Sequence, residues 1–476
     1  MISLFLPGAI LISVLLYFNR NKVVNYSLVV FYAVFLATFA IYQSFHQNSY
    51  ELGFFKNDAL GILLLLTLTI VAIFALFHGY RYIATHDESR KSRGLFFSAM
   101  IMFITATGVA YLSNHIAVTW IFVEITTLSA SVLIYHHRNK NALEGVWKYV
   151  FICAISITFI FIGILFLSLS LKQSGVNDLS FDSLRENYAL LNPFWLRLSF
   201  LFIFTGFTAK LGLVPMYTAG IDAKDKAPAP AGALFSTILM NLGFVGIYRF
   251  YAIVALTPIL HWANTIIFIA AFLSVFVATV YMTRIKNIKR MFAYSGIEHM
   301  GLAMLGLAAG GIGVYAAILH IVLHAFVKPS LFFQFNQVYR VYQSKSIYDV
   351  GNYFKYNRVG AIVLLLGFIS STAMPPSGLF VSEFLIFQSL FVSHHLIILF
   401  AILVLLTMII WGFGSNMFKL LFTPPLTPID ETKIPKFHAW ESVSQYVLLV
   451  LAVYIAYNPP MYVVNLIQDA VKLLPQ

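Results

Sequence analysis

The sequence predicts an all-α integral membrane protein of about 14 transmembrane helices, two of them broken. Composition is the first reason. Hydrophobic residues make up 60% of the chain and charged ones only 10%, and the mean hydropathy is +0.85, which is outside the range of soluble domains. The second reason is repetition: apolar runs of about 20 residues, the length that crosses a bilayer, recur from end to end. The third is the placement of the basic residues.

The runs are expected at roughly 2–18, 24–43, 59–82, 95–111, 114–135, 147–170, 192–222, 228–256, 262–283, 291–309, 312–338, 360–394, 397–420 and 441–465. The first has neither a basic leading region nor a small-residue cleavage site, so it reads as a retained helix rather than a signal peptide. The fourth is short, and the twelfth is long and interrupted by proline. No connecting loop much exceeds about twenty residues, so 1–476 is expected to be a single polytopic membrane domain.

The net charge of +12 reflects orientation, not nucleic-acid binding. Most Lys and Arg residues fall after odd-numbered spans. After even-numbered spans fall only Lys56, Lys172, Arg185, Arg197 and Arg249. By the positive-inside rule the odd loops are cytoplasmic and both termini lie on the other side of a bacterial or archaeal inner membrane. Cys153 is the only cysteine, which excludes an intrachain disulfide and any cysteine cage for a metal or iron–sulfur cluster.

Spans seven and twelve carry helix breakers beside a charge. The seventh reads Thr205-Gly-Phe-Thr-Ala-Lys210-Leu-Gly212-Leu-Val-Pro215, and the twelfth Met374-Pro375-Pro376-Ser-Gly378-Leu-Phe-Val-Ser-Glu383. Proline removes a backbone donor, and freed carbonyls at membrane depth need protein or water around them. Two such breaks, in spans expected to run in opposite directions, fit inverted-repeat construction. Proline kinks alone are common in membrane helices.

Glu124, Lys210, Lys328 and Glu383 are ionisable groups within these apolar spans. Each costs about 2.5–3.5 kcal/mol to insert unless it pairs, meets a wet cavity or exchanges a proton. Burial moves an amine's and a carboxyl's pKa toward one another, which is the condition for easy transfer. A Glu124–Lys210 pair at about 4 Å would be worth roughly 4 kcal/mol before desolvation, enough to gate proton uptake. Glu124 can equally be a protonated carboxyl bonded to Thr127. In span eleven His320, His324 and Lys328 recur every fourth residue on one helix face, and histidine exchanges protons near neutral pH. The His320/His324 spacing also matches a metal-ligand pair, but the zincin glutamate is missing and Lys328 repels cations, so no metal and no other cofactor is expected. Glu383 reads as the end of such a wire. Glu144 and Lys148, one turn apart, read equally as a helix-end salt bridge. Asp222, Lys224 and Lys226 read first as ordinary loop residues.

Several of these motifs together resemble the antiporter-like membrane subunits shared by respiratory complex I, Mrp-type sodium/proton antiporters and group 4 membrane-bound hydrogenases, over roughly residues 60 to 425. The resemblance rests on Gly206-Phe-Thr-Ala-Lys210-Leu-Gly-Leu-Val-Pro215, Asp222-Ala, Ala227-Pro-Ala-Pro230, Ile288-Lys-Arg-Met-Phe-Ala-Tyr-Ser295, His324-Ala-Phe-Val-Lys328 and Gly378-Leu-Phe-Val-Ser-Glu383. Ser295-Gly-Ile-Glu298-His299-Met-Gly301, with Asn241 where some relatives carry lysine, looks most like the F-type subunit of the hydrogenase-4 and formate hydrogenlyase branch. The resemblance implies two inverted five-helix repeats, about 95–256 and 262–420. It also implies proton translocation along a polar axis with Glu124 and Lys210 coupled, Lys328 central and Glu383 terminal. Glu298 and His299 join the candidates through this motif.

The chain departs from the family pattern after the seventh-span break. There Met216-Tyr-Thr-Ala-Gly-Ile-Asp222-Ala-Lys224 lacks the family's usual first His, Trp and Pro, so proton uptake in the first half is expected to differ. The resemblance implies a subunit that moves protons while partner membrane subunits and a peripheral redox subunit transfer electrons. It leaves open transport outside redox, either inorganic-carbon accumulation with a soluble zinc-containing partner or sodium/proton antiport. A plain scaffold role remains the third reading.

Overall fold

The computed structural model describes residues 1–85, 89–172, 175–426, 429 and 431–475. In chain order the helices are α1 (Ile2–Phe18), α2 (Lys22–Phe45), α3 (Ala59–Thr85), α4 (Arg90–Tyr111), α5 (Ile116–Ile134), α6 (Lys140–Leu171), α7 (Phe181–Glu186), α8 (Pro193–Leu211), α9 (Thr218–Lys226) and α10 (Ala229–Phe235). They continue as α11 (Ile238–Val254), α12 (Leu260–Arg284), α13 (Ile288–Ala309), α14 (Ile312–Tyr342), α15 (Tyr353–Tyr356), α16 (Arg358–Ser371), α17 (Gly378–Val392), α18 (Leu396–Phe422), α19 (Val443–Tyr457) and α20 (Met461–Val471). A short hairpin, β1 (Tyr50–Glu51) with β2 (Phe55–Lys56), is antiparallel and pairs Tyr50 with Lys56.

Among the described residues eleven helical segments are long and apolar enough to cross a membrane. The predicted spans outside that set have local reasons. α1 is short. α13 carries Lys289, Arg290 and Glu298. The twelfth span divides into α16 and α17, which are 14 and 15 residues long.

The other differences from the sequence reading are also breaks. The seventh span ends as α8 at Gly212, whose φ of +88° places it in the left-handed region that glycine tolerates. The Gly212 N–H closes the helix on the Thr208 carbonyl at 2.7 Å. The chain restarts as α9, so Asp222 and Lys224 lie on a helix and not in a loop. The eighth span parts at Ser236–Thr237 into α10 and α11. The fourteenth stops at Tyr457, ahead of Pro459 and Pro460. Pro329 is carried inside α14, one residue after Lys328.

The chain divides into two compact units: Met1–Ala231 with Ile238–Ile267 and Met461–Gln476, and Gly232–Thr237 with Phe268–Pro460. In the first unit α6 and α8 approach through glycines. A Cβ at Gly206 would meet the Ser156 carbonyl at 2.6 Å, and one at Gly163 would meet Ile203 Cγ1 at 2.5 Å. The hydroxyls of Ser156 and Ser199 donate across this contact to the Gly206 and Gly163 carbonyls, at 2.5 and 2.8 Å. Small residues and hydroxyl cross-links hold membrane helices together where no hydrophobic force distinguishes neighbour from lipid. Arg249, which the sequence placed among loop charges, is buried on α11. It forks onto Asp58 at 2.8–3.2 Å and caps the Ser113 and Tyr111 carbonyls at 2.6 and 2.5 Å. In the second unit α14 is buried along its central stretch and packs against α13, α16, α17 and α19.

Candidate functional site

Most of the residues singled out from the sequence fall into one buried polar cluster in each unit. In the first, Lys210 sits in the last turn of α8, where the negative end of the helix dipole favours a cation. The Gly206 contact presses this turn against α6. Lys210 Nζ donates to Thr127 Oγ1 on α5 at 2.7 Å and approaches Tyr149 Oη at 3.5 Å and Cys153 Sγ at 3.6 Å on α6. Glu124, one turn before Thr127, lies with its carboxylate beside the same hydroxyl. Among the described residues no ion pair joins Glu124 to Lys210, and both approach the Thr127 hydroxyl. Glu124 is only half-buried, and one of its oxygens makes no hydrogen bond among the described residues.

Around this cluster the loop reading of the short helix is corrected. Lys224 and Asp225 on α9 are both 2% exposed. Lys224 Nζ contacts Met240 Sδ at 3.1 Å, and Asp225 pairs with Lys226 at 3.3 Å. Asp222 is half-buried. Asn241, fully buried on α11, makes no hydrogen bond through either amide atom among the described residues. Glu144 and Lys148 pair at 2.5 Å on the exposed start of α6.

The second cluster gathers Glu298 and His299 from α13, His320, His324 and Lys328 from α14, and Glu383 from α17. All six are at most 5% exposed. Lys328 donates to the Ser295 hydroxyl one helical turn before Glu298–His299. His299 Nδ1 lies 3.4 Å from Glu383 Oε1, and its Nε2 lies 3.8 Å from Glu298 Oε2. The His299 ring centre is 5.2 Å from those of both His320 and His324. His320 Nδ1 contacts Ser382 Oγ at 2.9 Å. Glu383 stands in the second turn of α17, whose first turn is capped by Ser377. A cavity of about 210 Å³ reaches the cluster, with Glu298 and Glu383 on its wall among Phe380, Phe384, Thr372 and Thr407. His299, His320 and Glu383 together offer three metal-competent atoms within 4.8 Å of one another.

This chemistry suits proton exchange: two carboxyls, three imidazoles and an amine lie on three packed helices, with hydroxyls between some of them. The structure brings together six residues read as one wire or singled out by motif: His320, His324, Lys328, Glu383, Glu298 and His299. It sets Glu144 and Lys148 apart from both clusters. Sequence reasoning missed Ser295, Ser382, Tyr149 and the contact of Cys153 with Lys210. Tyr149 and Cys153 give no local signal of meeting Lys210, whereas Ser295 and Ser382 each lie within a motif already singled out.

Residues 113–409 match the family described as NADH:quinone oxidoreductase/Mrp antiporter, TM. The Hydrogenase-4 component F homolog of Methylacidiphilum infernorum is 28% identical over 353 residues, covering 72% of this chain and 74% of that protein. Hydrogenase-4 component B of Escherichia coli is 26% identical over 351 residues, 71% of this chain, which spans about half (51%) of that longer protein. In fold the chain is similar to one in the membrane-bound sulfane sulfur reductase, an archaeal respiratory membrane complex. The TM-score is 0.85 at 20% identity, over 99% of this chain and 96% of that one.

Proposed function

The chain belongs to the NADH:quinone oxidoreductase/Mrp antiporter family of membrane proteins, and on that footing we propose that it translocates protons as one subunit of a membrane-bound redox complex. It is a multi-pass, antiporter-like subunit. The protons move through Glu124 and Lys210 in the first unit and through His320, His324, Lys328 and Glu383 in the second, with Glu298 and His299 as members of the second station. Electron transfer in partner subunits drives the movement.

One observation carries the reading: six titratable side chains lie buried together within the second unit on α13, α14 and α17, two of them on the wall of a cavity. A scaffold needs charges matched in pairs. Here three imidazoles adjoin two carboxyls and one amine, and five of their polar atoms make no hydrogen bond among the described residues: Glu298 Oε2, both nitrogens of His299, His320 Nε2 and Glu383 Oε1. Such under-used donors and acceptors are costly unless they exchange protons or bind something. The half-exposed carboxyl of Glu124, within a helix apolar enough to cross the bilayer, supports a neighbouring membrane subunit that covers it. The breaks after α8 and between α16 and α17 support an inverted repeat of about 95–256 and 262–420, and the loop charges support termini on the non-cytoplasmic side.

The test begins with the native complex purified in mild detergent, identified by mass spectrometry and reconstituted into liposomes with an internal pH dye. Iron–sulfur or hydrogenase-like subunits should co-purify, and electron transfer should acidify or alkalinise the lumen. A soluble zinc protein as the sole partner, or a pH response that survives Lys328→Ala, would sink the proposal.

A further inference from the structure

We propose that His299, His320 and Glu383 form a binding site for one divalent transition-metal ion of the zinc or cobalt type, departing from the expectation of no metal. The orientation of His320 is the starting point. The Ser382 hydroxyl has one hydrogen and gives it to the Leu379 carbonyl at 3.0 Å. With the hydroxyl hydrogen on that carbonyl, its oxygen accepts from His320 Nδ1–H at 2.9 Å, the tautomer the proposal takes. That contact leaves Nε2 as the lone-pair nitrogen, and His320 Nε2 makes no hydrogen bond among the described residues. A histidine whose far nitrogen donates to a fixed acceptor is the usual form of a metal-ligating imidazole.

The other donors are equally available. Glu383 Oε1 has no hydrogen-bond partner among the described residues, and the Ser371 carbonyl approaches the His299 ring without satisfying either nitrogen by full hydrogen-bond geometry. His299 Nδ1 and Glu383 Oε1 are 3.4 Å apart. Two ligands about 2.0–2.1 Å from a tetrahedral centre lie about 3.3–3.4 Å from one another, so this edge of the site is already at its bound length. The third corner must close in from a spread of at most 4.8 Å. Two imidazoles and a carboxylate leave a fourth position for water.

Nitrogen donors select a borderline ion over sodium, magnesium or calcium, which prefer oxygen. Charge does not forbid binding: once a metal ion has displaced the carboxyl protons, Glu298 and Glu383 exceed the one ammonium of Lys328 by one negative charge. The cavity that has both carboxylates on its wall provides access. His324 is not part of the set, although its spacing from His320 was the metal-like feature of the sequence.

Cobalt(II) alone is the probe, titrated into the full chain in detergent and read by its visible absorption, which is intense only in tetrahedral sites. The expected result is one ion per chain with a tetrahedral band, displaced by zinc. His299→Gln, His320→Gln and Glu383→Gln should each weaken binding at least tenfold. Ser382→Ala removes no ligand, yet should weaken it about 10–100-fold by releasing the His320 ring. That variant keeps the test decisive if a ligand variant fails to fold. His394 and His395 lie between α17 and α18 and belong to neither the cluster nor the ligand set, so the double variant His394→Gln/His395→Gln should bind like the wild type. No tetrahedral band, a band that persists in His320→Gln, or affinity unchanged in Ser382→Ala would overturn the site. Binding is read without any transport assay, so failure of the proton-translocation reading and failure of the metal site are separate results.

Discussion

Lys210 and Lys328 are both lysines sealed inside apolar helices, at 2% and 0% exposure, yet their surroundings differ in kind. Lys210 is surrounded by neutral groups, a threonine hydroxyl, a tyrosine and a thiol, with Glu124 beside the same threonine hydroxyl. It is held by the end of α8, whose carbonyls supply part of a negative charge. Lys328 lies in mid-helix on α14, bonded to Ser295, with Glu298, Glu383 and three imidazoles in the same unit's cluster. The first unit thus holds its amine by a helix terminus and leaves its acid half-open at the side. The second gathers its amine with two carboxyls and three imidazoles, all at most 5% exposed, and meets a cavity at Glu298 and Glu383.

If that contrast is right, Lys328→Ala has the largest effect. It strips two buried carboxyls of their cation, a change that costs about 3–5 kcal/mol where a buried pair is broken. Proton translocation in proteoliposomes should fall to background and thermal stability should drop together. An undisturbed melting temperature would show that Lys328 is not the counter-charge.

Lys210→Met comes next and separates the two stations. Its partners are neutral, so only hydrogen bonds of about 1–3 kcal/mol are lost. Translocation should be lost as completely as for Lys328→Ala, with a clearly smaller fall in melting temperature. Equal stability losses for the two variants would erase the distinction.

Thr127→Val tests whether Glu124 and Lys210 communicate through the hydroxyl that both approach. The expected outcome is a slowing of about tenfold, equivalent to about 1.4 kcal/mol on the barrier, restored by Thr127→Ser. A valine variant as fast as wild type would mean that Glu124 and Lys210 meet by another route.

The smallest effect lies outside the membrane segments of the first unit. Asp182 on α7 accepts from Lys56 at 2.8 Å, Tyr50 at 2.7 Å and Asn114 at 2.9 Å. Burial pushes its pKa up, but the hydrogen bonds from Lys56 and Tyr50 outweigh this and hold it below the usual aspartate value. A depressed carboxyl stabilises fully above its unfolded pKa and loses that contribution as pH falls through the folded value. Asp182→Asn should therefore lower stability by about 1 kcal/mol or less for so exposed a pair, measured by melting at pH 7. The difference should shrink as the buffer is taken toward the folded-state pKa in acid; a constant difference would remove the pair from the account.

Much of this site was legible because the bilayer makes polarity conspicuous. A charge in an apolar run stands out without any structure, which is how Glu124, Lys210, Lys328 and Glu383 could be picked from the chain. Helix spacing put His320 with His324 and Lys328, and a motif supplied Glu298 and His299. Most partners were not legible. Thr127, one turn from Glu124, could be named from spacing, but Ser382 and Tyr149 are ordinary residues in sequence, and Arg249 read as a loop charge because its acceptors, Asp58 and the carbonyls of residues 111 and 113, are far along the chain. The division at Ser236–Thr237 also went unseen, since no proline or glycine stands at that turn.

The sequence by itself determined the class of molecule, a multi-pass helical membrane protein, and marked the rare ionisable residues inside its apolar runs. Those follow from local physics: hydrocarbon rejects charge and unsatisfied backbone, so length, hydropathy and breakers are sufficient to read them. Tertiary structure alone decided which of the rare polar groups meet. It brought Lys210 to the Thr127 hydroxyl beside Glu124, turned His320 by way of Ser382, and brought His299 to Glu383. Those contacts join residues that are distant in sequence, and they depend on how the helices pack, which no single segment encodes.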